Sequence, residues 1–204
     1  MQIGTRVGQL RMSDKIILVD CDGVLLNWAD AFNEWAAERG FTQVRSDVYD
    51  MHLCYDISDM DAQNLMIEFN ESAAICQLEP FRDSKYWVRR IYEELGYEFR
   101  VITSLSLCPY AARARELNLH IHFGEAIKSV VCLETGAPKD GVLEGYAYCE
   151  YFWIEDKPEN AVTGFNFGLR SILMRHDHNT NSVPLAGITI VDTWKQIYKI
   201  VKKG

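Results

Sequence analysis

The sequence lacks several features that would assign it to a broad class of protein. Its longest apolar runs are about five residues, too short to span a bilayer. Residues 1–13 are polar and lack the apolar core of a signal peptide. None of the six cysteines forms a C-x-x-C pair. We therefore expect free thiols in a reducing cytoplasm, with no membrane partner and no zinc site.

An excess of basic residues is also missing, since 21 basic residues face 29 acidic ones for a net charge of −8. Such a chain is a poor electrostatic partner for duplex nucleic acid or an anionic membrane. A small phosphate ester, which senses only the local field of a site, remains compatible with this charge. The 204 residues suffice for one α/β domain with a small insertion, and they leave a homodimer open.

Short apolar segments alternate with amphipathic helical patterns along most of the chain. This alternation predicts an α/β fold, a three-layer, Rossmann-like parallel sheet with helices on both faces. Ligands bind beyond the carboxyl ends of the strands in such sheets. Five strands are predicted, at residues 15–20, 99–103, 130–133, 151–154 and 171–174.

The connection between the first two predicted strands is too long for an ordinary crossover. It contains about 75 residues with two helical patterns, at 28–39 and 58–76, and no convincing strand. We interpret residues 26–79 as a small helical cap inserted after the first strand. Residues 1–25 and 80–204 would then form the catalytic core.

The sharpest local signal is Asp20-Cys21-Asp22-Gly23, directly after a buried strand. Two carboxylates separated by one residue lie on the same side of an extended chain. Charges at the end of an apolar strand are costly unless they are paired or bound to a metal. Mg²⁺ is the natural partner for such oxygens and suits a phosphate ester. Gly23 allows the backbone to turn away tightly.

Residues 20–25 read D-C-D-G-V-L and fit the pattern D-x-D-x-[TV]-[LV] at every position. In this respect the sequence resembles the haloacid dehalogenase-like (HAD) superfamily of phosphohydrolases. The resemblance implies that Asp20 is the nucleophile that forms an aspartyl-phosphate. It implies that Asp22 protonates the leaving oxygen and then activates water. Asp22 also argues against a dehalogenase, whose motif lacks this second acid.

Three further motifs of the superfamily have matches here. Thr103 ends an apolar strand and would donate a hydrogen bond to the phosphoryl group, with Ser104 as the alternative. Lys139 would offset the negative charge of the site, with Lys128 as the alternative. Glu155 and Asp156 directly follow the strand predicted at 151–154. The resemblance implies Mg²⁺ bound by Asp156 together with Asp20 and the backbone carbonyl of Asp22.

The segment at 20–28, D-C-D-G-V-L-L-N-W, is similar to the opening of the 5'(3')-deoxyribonucleotidases, D-M-D-G-V-L-A-D-F, and L-E-P at 78–80 is similar to the segment where their cap returns to the core. A Mg²⁺-dependent 5'-nucleotidase acting on (deoxy)nucleoside monophosphates is therefore expected. Trp28 would contact the nucleobase or anchor its helix in the core. Gly23 and Ser104 would line the phosphate site.

Other functions remain open at this stage. The substrate would alternatively be a sugar phosphate or a polynucleotide 3'-phosphate. A second alternative is a non-catalytic binding protein with the same fold. The alternating ligands of His176-Asp177-His178 lie in a polar stretch, 175–182, which we interpret as a surface loop rather than a metal site.

Overall fold

Strands and helices alternate through residues 15–180 and 187–204, the residues that the computed structural model describes. The predicted polar segment at 1–13 and the end of the polar stretch at 175–182 lie outside these ranges. The strands are β1 (Ile16–Val19), β2 (Glu98–Ser104), β3 (Ile127–Leu133), β4 (Phe152–Glu155), β5 (Arg170–Met174) and β6 (Thr189–Val191). The helices are α1 (Trp28–Ala37), α2 (Met51–Tyr55), α3 (Asp59–Asn70), α4 (Ser84–Arg90), α5 (Pro109–Phe123), α6 (Asp140–Leu143), α7 (Pro158–Asn166) and α8 (Trp194–Lys203).

The six strands form one parallel sheet in the order β3-β2-β1-β4-β5-β6. This result confirms the predicted α/β fold. From β1 the sheet extends in both directions, with β2 and β3 on one side and β4, β5 and β6 on the other. Such a switch point leaves a crevice at the carboxyl ends of the strands. Val19, the last residue of β1, pairs with Val101 of β2 and Ile154 of β4. Residues just after these positions therefore meet at one edge.

Both faces of the sheet are covered, as continuous apolar runs in parallel strands predict. Ile17 and Val19 of β1 belong to the larger core, which includes Trp194 of α8. Ile16 and Leu18 point to the opposite face and join a smaller core with Leu143 of α6. Side chains of β1 alternate between the two faces of the sheet, so this one strand packs against the helices on both sides.

The residues between β1 and β2 leave and rejoin the core at neighbouring points. Leu26 forms an antiparallel bridge with Pro80, and the Asn27 amide donates to the Glu79 carbonyl at 2.8 Å. Helices α1, α2 and α3 lie between these points. A cluster of aromatic rings packs them together: Trp28, Phe32, Trp35, Tyr55 and Phe69. The division into a core and a cap at 26–79 stays a prediction.

Some elements differ from the sequence-based expectations. The helix expected at 58–76 ends at Asn70, and a 3₁₀ turn follows at Ala73–Gln77. The short elements α2 and β6 carry too few residues to show a periodic pattern, and neither was predicted. Within the described residues, no helix is both long and apolar enough to cross a membrane.

Candidate active site

Asp20 follows β1 directly and is buried at the carboxyl edge of the sheet. Its carboxylate accepts a hydrogen bond from the Cys21 amide at 2.7 Å, and Lys139 Nζ lies 2.7 Å from Asp20 Oδ1. Burial and the charge of Glu155 raise the pKa of Asp20 well above its ordinary value, although Lys139 opposes this shift. The structure thus holds the Asp20 carboxyl group away from water, beside the ammonium group of Lys139.

Lys139 reaches this edge from the residue before α6 and is itself buried. Its Nζ bridges Asp20 and Glu155, at 2.7 Å from each. Burial would lower the pKa of Lys139, but the two carboxylates outweigh burial and raise it above its ordinary value. Lys139 therefore carries its charge at neutral pH. Lys128, the alternative, is exposed and pairs with Glu98 at 3.3 Å, so it lies away from Asp20's ion pair.

Glu155 ends β4 and organises the turn into α7. It accepts hydrogen bonds from the amides of Asp156 and Lys157, at 3.0 and 3.1 Å, and from Asn160 Nδ2 at 3.1 Å. Burial acts to raise the pKa of Glu155, but the charge of Lys139 and the hydrogen bonds with Asp156 and Lys157 bring it to about 2. Glu155 therefore binds Lys139 as a carboxylate.

Asp156 places a second buried carboxylate next to Asp20. Ligand oxygens of Asp20, Glu155 and Asp156 lie within 4.8 Å of one another. Burial and the charges of Glu155 and Asp20 raise the pKa of Asp156 well above its ordinary value. Within the described residues, no lysine or arginine forms an ion pair with Asp156; the nearest basic nitrogens are those of His178 and His176, at 3.7 and 3.9 Å from Oδ2.

This arrangement fits a divalent cation. The Asp156 carboxylate is costly to ionise without a nearby positive charge, and oxygen donors are the ligands that Mg²⁺ prefers. Asp20 and Asp156 would supply carboxylate oxygens, while Glu155 is already engaged by Lys139. The chemistry of the donors therefore agrees with the cofactor that the sequence predicted.

Asp22 lies beside this group on the D-x-D-G turn and is partly exposed. Thr103 Oγ1, at the end of β2, donates a long hydrogen bond to Asp22 Oδ2 at 3.5 Å. Ser104 turns away and donates to the Ala137 carbonyl at 2.8 Å. Of the two alternatives, Thr103 is therefore the hydroxyl that faces the carboxylates. Arg115 forms an ion pair with Asp22 as well.

Gly23 brings the turn against Asp156. Its φ of 73° is in the left-handed region that favours glycine. His176 Nε2 contacts the Gly23 carbonyl at 2.7 Å, and burial lowers the pKa of His176 to about 4. A neutral imidazole with a proton on Nε2 is therefore the donor of this hydrogen bond.

The interpretation of His176 and His178 as surface-loop residues is wrong. Only 16% and 15% of their side chains are exposed, and their rings stack at 5.1 Å between centroids. They follow β5, the neighbour of β4, and so they reach the same edge of the sheet. The polar composition of the segment concealed this placement.

Trp28 starts α1 and is partly buried. Its ring stacks on Phe32 at 4.6 Å between centroids and meets Phe69 edge-on at 5.4 Å. Its indole N–H donates to Asn70 Oδ1 at 2.9 Å. These contacts anchor the helix, and the residue as a whole is not fully buried. Both sequence-based interpretations of Trp28 are thus compatible with the structure.

Arg115 is the residue of this group that the sequence reasoning missed. It is fully buried on α5, on the same side of the helix as Ala111 and Leu119. An arginine at i, i+4 spacing within an apolar stripe is the signal that would have revealed it, because a charge there needs a buried partner.

Comparisons with known proteins agree with this geometry at the level of the fold. The sequence matches no protein-family model and no curated protein. The structure is similar to CbbY from Rhodobacter sphaeroides in complex with phosphate, at 18% identity and a TM-score of 0.58, over 90% of this chain and 96% of that one. A mutant of CbbY was solved with xylulose-(1,5)bisphosphate.

Two further solved structures extend the likeness. One is an L-2-haloacid dehalogenase, at 14% identity and a TM-score of 0.54, over 92% of this chain and 99% of that one. The other is a HAD hydrolase from Entamoeba histolytica, at 13% identity and a TM-score of 0.54, over 93% and 99%. The chain has the HAD-like fold. At these identities the likeness concerns the fold alone, and the chemistry has to be argued from the residues.

Proposed function

We propose that this chain is a Mg²⁺-dependent phosphomonoesterase that transfers the phosphoryl group to Asp20. The observation that carries the proposal is the buried group of Asp20, Lys139 and Asp156 at the sheet edge, with Asp22 beside it. A carboxylate nucleophile, a fixed cation and a site for a divalent ion are the parts that phosphoryl transfer requires. Bound Mg²⁺ would supply positive charge next to the transferring group.

The reaction proceeds in two steps. Asp20 attacks phosphorus, the bond from phosphorus to the ester oxygen breaks, and protonated Asp22 gives its proton to the leaving alkoxide. Water then attacks the aspartyl-phosphate and Asp22 takes a proton from that water. The bond between phosphorus and Asp20 breaks, which releases inorganic phosphate and restores Asp20. Lys139 and Thr103 hold the phosphoryl oxygens.

Asp22 favours a phosphatase over a dehalogenase, although several of the similar structures are dehalogenases. A dehalogenase has no alkoxide to protonate, and the superfamily motif of dehalogenases lacks this second acid. The experiment is release of p-nitrophenol from p-nitrophenyl phosphate with Mg²⁺ and then with EDTA. Release that stops with EDTA and is missing in Asp20→Asn supports the proposal. No release from any phosphate ester would favour a non-catalytic binding protein.

The preferred substrate in this proposal is a (deoxy)nucleoside 5'-monophosphate, with residues 26–79 as a cap that covers the leaving group. Partial exposure of Trp28 supports contact with a base. Thymidine 5'-monophosphate and deoxyribose 5-phosphate form a matched pair, because only the first has a base. Trp28→Leu should lower kcat/KM for the nucleotide and leave the sugar phosphate unchanged.

A sugar phosphate is the second candidate, favoured by the likeness to CbbY with its bound xylulose-(1,5)bisphosphate. Higher kcat/KM for sugar phosphates than for nucleotides, with no selective effect of Trp28→Leu, would reject the nucleotidase assignment. Activity on polynucleotide 3'-phosphates would reject it in the same way.

A further inference from the structure

Arg115 connects helix α5 with the D-x-D-G turn through contacts to Cys21 and Asp22. Its side chain is 0% exposed. NH1 forms an ion pair with Asp22 Oδ1 and donates to Cys21 Sγ at 2.9 Å, and NH2 donates to Asp22 Oδ2 at 3.2 Å. Both oxygens of Asp22 are therefore held by one guanidinium fork.

Arg115 Nε is buried and has no hydrogen-bond partner among the described residues. Burial of a guanidinium is costly, and an apolar side chain of similar volume would fill this part of the core without leaving a polar atom unpaired. The contacts that offset this cost all go to Cys21 and Asp22.

We propose that Arg115 is a positioning residue for Asp22 in the second step of the proposed reaction, in which the Asp22 carboxylate takes a proton from water. A planar fork that binds both oxygens fixes the plane of the carboxylate, which a lysine with a single point of contact does not do. Arg115 is fully buried, so it acts through Asp22 and not on the substrate. About a quarter of the Asp22 side chain, 26%, stays exposed. This inference rests on the function proposed above.

A double-mutant cycle separates this role from a structural one, because coupling appears only where two residues act together. The variants are Arg115→Met, which keeps volume and removes the fork, Asp22→Asn, and the two combined. Arg113→Met is the matched control, since Arg113 lies on the same helix, is exposed and pairs with Glu116. Arg115→Lys is the second variant and keeps the charge if Arg115→Met fails to fold.

The readout is the amount of phosphoenzyme after an acid quench, together with the steady-state rate. The p-nitrophenolate anion is a good leaving group that needs no proton from Asp22, so misplacement of Asp22 should slow only hydrolysis of the aspartyl-phosphate. In Arg115→Met and in Arg115→Lys, we expect the phosphoenzyme to accumulate and turnover to fall about 10²-fold, the range of one acid-base group. In the Asp22→Asn background, the same substitution should change turnover by less than about threefold.

Equal slowing of phosphoenzyme formation and breakdown, without accumulation, would overturn the inference, because that is the effect of general damage to the site. Additive losses in the cycle would overturn it as well. An Arg113→Met effect on turnover as large as that of Arg115→Met would also overturn the inference, because it would show that any charge on α5 affects turnover. If the wild-type protein forms no phosphoenzyme at all, the proposed function fails instead, and the two failures are distinguishable.

Discussion

The carboxylate of Asp156 occupies the space beside Gly23 that a side chain would need. A Cβ on Gly23 would come within 2.5 Å of Asp156 Oδ2. The turn after β1 and the end of β4 are therefore in direct contact. That contact brings the two ends of the proposed metal site together, and it explains why a glycine stands at this position.

Gly23→Ala should disturb the proposed metal site more than the fold. The left-handed φ and the close approach together should cost about 1–3 kcal/mol, and Asp156 has to move. We expect weaker Mg²⁺ binding by calorimetry and lower turnover. Gly40→Ala is the control, because Gly40 has a φ of 85° with nothing near its added Cβ. Equal Mg²⁺ affinity in the two variants would argue against this account.

Lys139→Met should remove the positive charge beside Asp20 and leave Asp20 and Glu155 without their shared partner. We expect turnover to fall at least about 10²-fold, the typical effect of losing one electrostatic contact to a transition state. Lys128→Met should be indistinguishable from the wild type, because Lys128 is exposed. The reverse ranking of the two variants in a phosphatase assay would contradict the assignment.

Glu155→Gln should destabilise the protein. Glu155 is fully buried and carries four hydrogen bonds, including the one from Lys139. Loss of one partner of a buried ion pair costs about 3 kcal/mol or more. Urea unfolding measures the change, with exposed Glu159→Gln as the matched control for the same substitution. Unchanged stability in Glu155→Gln would mean that this network does not hold the site together.

The pH dependence of stability should report on Asp156. Its pKa in the folded, metal-free protein is raised above the ordinary 3.8. The folded state then binds the proton more tightly than the unfolded state, so the favourable contribution is full below pH 3.8 and is lost as pH rises through the folded pKa. Asp156→Asn avoids this loss and should be more stable than the wild type at pH 7.

This difference between Asp156→Asn and the wild type should disappear towards pH 4 and reverse at pH 7 when excess Mg²⁺ is added, because only the wild type gains the binding energy. His176, whose pKa is lowered, makes a contribution of opposite sign in both proteins. Exposed Asp192→Asn is the control. An Asp156→Asn difference that does not change with pH would contradict the burial argument.

The sequence predicted those parts of the molecule in which a local pattern determines the outcome. The apolar run at Ile16–Val19 and the carboxylates after it predicted a buried strand with a charged end, and the parallel sheet follows from similar runs. Arg115 could not be paired with Asp22 in advance, because that contact joins α5 to a turn far away in the chain. His176 was misinterpreted for a related reason: strand order, not composition, brings the residues after β5 next to Asp156.

The most direct test of the central claim is to identify the residue that carries the phosphoryl group. Wild-type protein is mixed with p-nitrophenyl phosphate and Mg²⁺, quenched in acid, digested and analysed by mass spectrometry. We predict a phosphorylated peptide with the modification on Asp20, which is missing with EDTA and in Asp20→Asn. Turnover with the phosphoryl group on another residue, or undiminished turnover in Asp20→Asn, would contradict the account.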